Sequence, residues 1–183
     1  MSTSFVTDVE QIRRRAREHI ERGAVTNAYK ADLAVVLRLL NEALATELVC
    51  VLRYRRHYHM AEGIHSKAVA EEFLEHAVVE QEHADKIAAR IVQLGGAPDF
   101  APDSLASRSA TEYAEGHSLI DMIKEDLVAE RVVIDTYADM IRYLGNSDPT
   151  TRAMLEGILA SEEDHAHELS TLLATLDPTK PGG

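Results

Sequence analysis

Cysteine is almost absent from this chain, with Cys50 alone among 183 residues. A single thiol excludes an internal disulfide and any thiolate-rich zinc or iron–sulfur site. It suits a reducing compartment, and Cys50 itself reads as a small core residue. Proline and glycine are also scarce, at 5 and 9 residues, and they gather at a few boundaries. Between those boundaries apolar residues recur at helical spacing, leaving no stretch suited to β-structure. No apolar run approaches the roughly 20 residues of a membrane span. No basic segment followed by an apolar one opens the chain, so a cytoplasmic location is expected. Basic residues are outnumbered, 19 against 31 acidic, giving a net charge of −12. That balance repels nucleic acid and acidic membranes and attracts cations; metal ions are the favoured partners, and neither DNA nor a membrane is expected.

The length suits one ordinary domain. Residues 1–29 read as an N-terminal extension with a short charged helix, opened by Thr7 or Asp8 and closed by Gly23. Its Arg13, Arg14, Arg15 and Arg17 alternate with Glu10, Glu18 and Glu21 at intrahelical pairing distances. Residues 30–176 read as four long helices, and residues 177–183, rich in helix breakers, as a disordered tail. The first long helix spans about Lys30 to Met60, with a seam of Leu33, Leu37, Leu40, Leu44, Glu47, Val51, Tyr54 and Tyr58. The second spans about Ser66 to Leu94, with Leu74, Ala77, Glu80, Ala84, Ile87 and Ile91, and stops at Gly95-Gly96-Ala97-Pro98. Ser118 caps the third, with Asp121 in the capping-box position, and its seam is Ile120, Ile123, Leu127, Glu130, Ile134, Tyr137, Ile141 and Leu144. The fourth starts after Asp148-Pro149 and presents Leu155, Ile158, Glu162, His165, Leu169, Leu172 and Leu176.

Steps alternating between three and four keep one narrow stripe facing the neighbours, which predicts an all-α four-helix bundle. Short connections make two antiparallel hairpins. The segment from Gly95 to His117 is long enough to cross the bundle between the second and third helices, with a short helix expected around Ala110 to Glu115.

Four glutamates interrupt the seams. Glu47 and Glu130 each precede a Glu-x-x-His, Glu80–His83 and Glu162–His165, by 33 and 32 residues respectively. A Glu and a His three apart share one helical face and can reach one ion. Unpaired, four buried carboxylates would cost several kcal/mol each. Two divalent ions cancel their charge, and two imidazoles add neutral ligands. One imidazole per ion among many oxygens suits iron, with manganese as the alternative, better than structural zinc. Glu80 and Glu162 are expected to bridge, with Glu47 and His83 completing one ion and Glu130 and His165 the other. The expected reaction is oxidation of Fe²⁺ by O₂ or H₂O₂. Tyr54 and Tyr137 follow Glu47 and Glu130 by seven residues and are expected to hydrogen-bond a ligand carboxylate, to donate an electron, or simply to pack. A third Glu-x-x-His, Glu62 with His65, flanks the Gly63 break and has no seam around it. His19, His57, His59, His65, His76, His117 and His167 are expected to lack a partner constellation and to serve surface or packing roles, His76 lying one turn before Glu80.

At these residues the chain resembles the ferritin-like di-iron proteins, and bacterioferritin among them. The pattern is carried by Leu40-Asn41 leading to Glu47 and Tyr54, by Glu80-Gln81-Glu82-His83-Ala84-Asp85, by Asp126-Leu127 leading to Glu130, and by Glu162-Glu163-Asp164-His165. The resemblance covers about Ala31 to Leu176. It implies a ferroxidase centre in each subunit, with Tyr54 beside it, and a homo-oligomeric shell that stores ferric mineral. Bacterioferritin places a haem-ligating methionine directly after the first glutamate of its Glu-x-x-His; Gln81 stands there, so haem is not expected. The extra N-terminal helix and the long crossover resemble the smaller DNA-protection ferritins. The alternatives are a di-iron or di-manganese catalase or peroxidase without storage, and a DNA-protecting protein that binds through the arginine cluster.

Overall fold

The computed structural model describes residues 8–63 and 66–176. The tail at 177–183, expected to be disordered, and His65 lie outside them. Helix α1 (Val9–Arg15) is followed by a single 3₁₀ turn at Ile20–Arg22. The four long helices are α2 (Leu33–Met60), α3 (Ser66–Gln93), α5 (Leu119–Leu144) and α6 (Pro149–Leu176), and α4 (Leu105–Arg108) lies in the crossover. Among the described residues there is no β-strand, and no helix is long and apolar enough to cross a membrane.

The caps explain the boundaries. Asp32 accepts from the amides of Ala34 and Val35, so α2 begins at Leu33, slightly later than its hydrophobic periodicity suggests. Ser118 accepts from Asp121 as expected. Gly95 ends the α3 turn with φ +82°, and at Gly96 a Cβ would fall 2.5 Å from a Leu37 methyl, so any side chain there would push Leu37 of α2 aside. Gly157 is the one glycine inside a long helix, on an exposed turn of α6.

Side-chain pairs fix the directions. Glu47, Tyr54 and His57 of α2 meet Tyr137, Glu130 and Asp126 of α5 in descending order, and His76, His83 and Arg90 of α3 meet Glu168, Glu162 and Thr151 of α6. Each of these pairs is therefore antiparallel. Tyr54 also lies against His76 while Glu47 lies near His83, so α2 and α3 are antiparallel and α3 runs parallel to α5. The interior holds Leu40, Leu44, Phe73, Ile87, Ile91, Ile123, Leu155, Ile158 and Leu169, all nearly inaccessible, each contributing about 1.5–3 kcal/mol by burial.

Two expectations fail. The N-terminal helix stops at Arg15 and not at Gly23, because none of its residues is buried, and an isolated short helix gains too little per turn to propagate. Residues 110–115 are irregular rather than helical, the short helix forming instead at Leu105–Arg108. Side chains of α2 claim the backbone of this stretch: Thr46 accepts from the Ala110 amide, Arg53 donates to the Glu112 carbonyl, and His57 reaches the Ala114 and Glu115 carbonyls. Carbonyls turned toward α2 cannot close helical hydrogen bonds.

Arg53, His57 and Asp126 form a fully buried clasp. Asp126 accepts from Arg53 Nε at 2.8 Å and lies 2.8 Å from His57 Nδ1, tying α5 to α2 and, through the carbonyls above, to the crossover. Asp126→Ala should strand the guanidinium without a counter-charge and lower stability by about 3–5 kcal/mol. Urea unfolding followed by circular dichroism checks this; an unchanged midpoint would show that the clasp carries no stability.

Candidate metal centre

Six side chains from four helices converge at mid-bundle: Glu47 from α2, Glu80 and His83 from α3, Glu130 from α5, and Glu162 and His165 from α6. None exceeds 5 % exposure. Their heptad-like placement explains the inward direction, and the apolar residues above and below exclude water. Glu47, Glu80, His83 and Glu162 bring ligand atoms within 4.8 Å of one another, and so do Glu80, Glu130, Glu162 and His165. Glu80 and Glu162 belong to both groups.

The oxygens of those two shared carboxylates divide. Glu162 Oε1 lies 2.8 Å from His83 Nδ1 while its Oε2 lies 3.4 Å from His165 Nδ1. Glu80 does the same in mirror fashion, Oε2 at 3.4 Å from His83 and Oε1 at 3.3 Å from His165. These approaches are close but not aligned as hydrogen bonds. Nine buried side-chain atoms lack a hydrogen-bond partner among the described residues, and seven of them belong to these six side chains. Two close groups of partnerless buried atoms that share Glu80 and Glu162 are the arrangement that cations complete, and a donor set of oxygens with one imidazole per group suits a hard or borderline divalent ion.

Charge makes the same demand. Burial, then the negative charge of Glu80 and Glu162, pushes the Glu47 carboxyl well above the usual carboxylate range, and Glu130 is raised for the same reasons. For Glu80, burial works upward, but the neighbouring Glu47 carboxyl and the His165 and His83 imidazoles outweigh it and hold the carboxyl low. His83 and His165 lose basicity through burial and regain more from Glu162 and Glu80, ending at about 9. Without metal the site therefore fills with protons.

Each tyrosine reaches across the bundle. Tyr54 donates to Glu130, and Tyr137 donates to Glu47, so the hydrogen bond to a carboxylate expected for each goes to the glutamate of the opposite half. Burial pushes the Tyr54 phenol well above its ordinary range, keeping it a donor. Two histidines expected to lack carboxylate partners have them. His57 faces Asp126, and His76 Nε2 lies 3.0 Å from Glu168, with its ring stacked 4.0 Å from that of His165. Neither partner shares a helix with its histidine. The hints in the chain were the positions of His76 one turn before Glu80 and one turn after Glu72.

Four long helices with one long crossover and a glutamate–histidine cluster at mid-bundle define the ferritin-like class of carboxylate bundles. The chain belongs to the Ferritin family, whose ferritin-like domain matches residues 37–178. It is 32% identical to the bacterioferritin of Mycobacterium avium over 143 residues, covering 78% of this chain and 86% of that protein. Among solved structures it is similar to a dodecameric thioferritin, the bacterioferritin-related protein of Bacteroides fragilis, with a TM-score of 0.77 and 29% identity over 80% of this chain and 89% of that one. It is also similar to the Rhodobacter capsulatus bacterioferritin, described with a metal-free dinuclear site and a haem iron, with a TM-score of 0.72 and 28% identity over 84% and 92% of the two chains.

The two histidines set a pH dependence. Their folded values of about 9 lie above the ordinary 6.5, so their ion pairs stabilise the metal-free fold fully below about pH 6.5 and are lost as pH rises through about 9. The metal-free protein should thus unfold at lower urea concentration at pH 9 than at pH 6.5. Metal must displace the same protons, so Zn²⁺ affinity should rise across that window and each addition should acidify a weakly buffered solution. Zinc binding without proton release would contradict this charge assignment.

Proposed function

We propose that this chain is an iron-storing ferroxidase: it binds two Fe²⁺ per subunit at the six converging side chains, oxidises them with O₂ or H₂O₂, and deposits ferric mineral within a homo-oligomeric shell. The observation that carries this is the set of seven partnerless buried atoms in two close groups that share Glu80 and Glu162. Glu80 and Glu162 would bridge the ions, since each turns one oxygen toward either histidine. Glu47 with His83 would complete one ion, and Glu130 with His165 the other.

Two divalent ions neutralise four carboxylates, and iron in this setting supplies one-electron oxidation. With O₂, two Fe²⁺ and two protons yield two Fe³⁺ and H₂O₂; with H₂O₂, two Fe²⁺ and two protons yield two Fe³⁺ and two waters. The surrounding chain does the rest. Tyr54 and Tyr137 hold Glu130 and Glu47 by one oxygen each, leaving the other free to ligate. The core residues around the site keep bulk water away, which strengthens each ion–carboxylate attraction. Manganese satisfies the same donors. Haem is not part of this reading, because Gln81, whose amide donates to Asp85, occupies the position of the haem-binding methionine. The free, buried Cys50 fits a reducing cytoplasm.

Anaerobic Fe²⁺ titration followed by O₂ should give two rapidly oxidised irons per chain and a mineral core in excess iron. Two bound irons with no core would remove the storage half of the proposal. Glu80→Ala should slow the fast phase by at least the roughly 10–100-fold seen when even outer partners of metal ligands are lost. It should also lower the stability of the metal-free bundle, since His83 and His165 lose a buried carboxylate partner. Stopped-flow absorbance measures the first effect and urea unfolding the second; an unchanged oxidation rate would mean that the centre lies elsewhere.

A further inference from the structure

Glu72, His76 and Glu168 also bring one ligand atom each within 4.8 Å of one another, one turn outward from the six central residues on α3 and α6. The position of the proton on His76 is informative. Tyr54 has one hydroxyl hydrogen and donates it to Glu130, so its oxygen, 3.2 Å from His76 Nδ1, accepts, and Nδ1 carries the imidazole proton. Nε2 then presents a bare lone pair 3.0 Å from Glu168 Oε2 and 3.7 Å from Glu72 Oε1. In the neutral imidazole three acceptors therefore face a common point, a place that a second ring proton or a cation fills. The His76 side chain is only 2% exposed, against 31% for Glu72 and 50% for Glu168, so the gap opens to solvent on one side.

The internal repeat supplies an independent argument. Aligning the two Glu-x-x-His halves on Glu80 and Glu162 matches Glu72, His76 and Glu168 with Met154, Ile158 and Lys86. In the second half, Ile158 is core and Met154 packs against it. The bundle therefore tolerates apolar residues at this register, and the polar triad is a feature of one half only.

We propose that Glu72, His76 and Glu168 bind a third divalent cation on the solvent side of the dinuclear centre, with His76 Nε2 as its nitrogen ligand. His76 also forms a group with Glu130 and His165 whose ligand atoms lie within 4.8 Å of one another, so donors run without a break from the outer carboxylates to the centre. That this run leads iron inward rests on the proposed ferroxidase function; the binding of a third cation does not.

Crystals of the full chain soaked in Zn²⁺ and measured at the zinc absorption edge test it, together with calorimetric titration of Zn²⁺ in solution. The wild type should show three anomalous peaks per chain, one within coordination distance of Glu72, His76 and Glu168, and a third, weaker equivalent by calorimetry. The E72Q/E168Q double variant, isosteric at two partly exposed positions, should lose that peak and that equivalent alone. Two peaks in the wild type, both at the central six residues, would overturn the third site and leave the centre standing. A peak at the outer triad over an empty centre would support the third site and overturn the ferroxidase reading. Persistence of the third equivalent in E72Q/E168Q would overturn the assignment of its ligands.

Discussion

The mutual repulsion of four carboxylates buried between four helices is the constraint around which this molecule is organised. Glu47, Glu80, Glu130 and Glu162 occupy positions that an ordinary bundle fills with leucine, and burial pushes the carboxyls of Glu47 and Glu130 toward protonation. Two imidazoles among them soften the repulsion by taking up protons, yet seven ligand atoms remain without hydrogen-bond partners. Such a core folds because the layers on either side are well packed, and the two divalent cations proposed for it would balance its charge.

Those layers are anchored at both ends by polar clasps. At one end Arg53, His57 and Asp126 bind α2, α5 and the crossover. At the other, Arg90 of α3 donates to Thr151 of α6 at 2.8 Å and to Asp148 at 2.9 Å, just before the N-terminus of α6. Each is a buried ion pair with its remaining hydrogen bonds met, the condition under which a buried charge is tolerated. Between them the crossed tyrosines join the halves of the internal repeat, since Tyr54 serves Glu130 and Tyr137 serves Glu47. The sequence symmetry thus becomes a spatial exchange: neither half completes its own site. The symmetry lapses at His76, which replaces an aliphatic core position with a ring stacked on His165 and turned toward two half-exposed glutamates.

Much of the fold was legible in the chain because helical periodicity is a local signal. The positions of α3, α5 and α6 followed from apolar spacing and from Ser118, Gly145 and Pro149. The six converging residues were legible because a Glu-x-x-His with a partner glutamate one helix upstream occurs twice. Finer placement was not. Phe73, Val133 and Leu173 are the buried residues where the neighbouring Leu74, Ile134 and Leu172 were expected, because a straight helix drifts against any regular seam and packing selects the side chain that fits. The irregular stretch at 110–115 looked helical by itself and is held out of a helix by hydrogen bonds with Thr46, Arg53 and His57, residues more than fifty positions away.

Local order in the polypeptide was enough to dictate four amphipathic helices, their caps, and the faces on which the glutamates and histidines stand, since each depends on neighbours within a few turns. Which carboxylate meets which imidazole, that each tyrosine serves the opposite half, that His57 finds Asp126 and His76 finds Glu168, were decided only when antiparallel packing brought distant segments into register. Distances of a few ångströms between residues far apart in the chain are set by how helices pack, and no local rule encodes them.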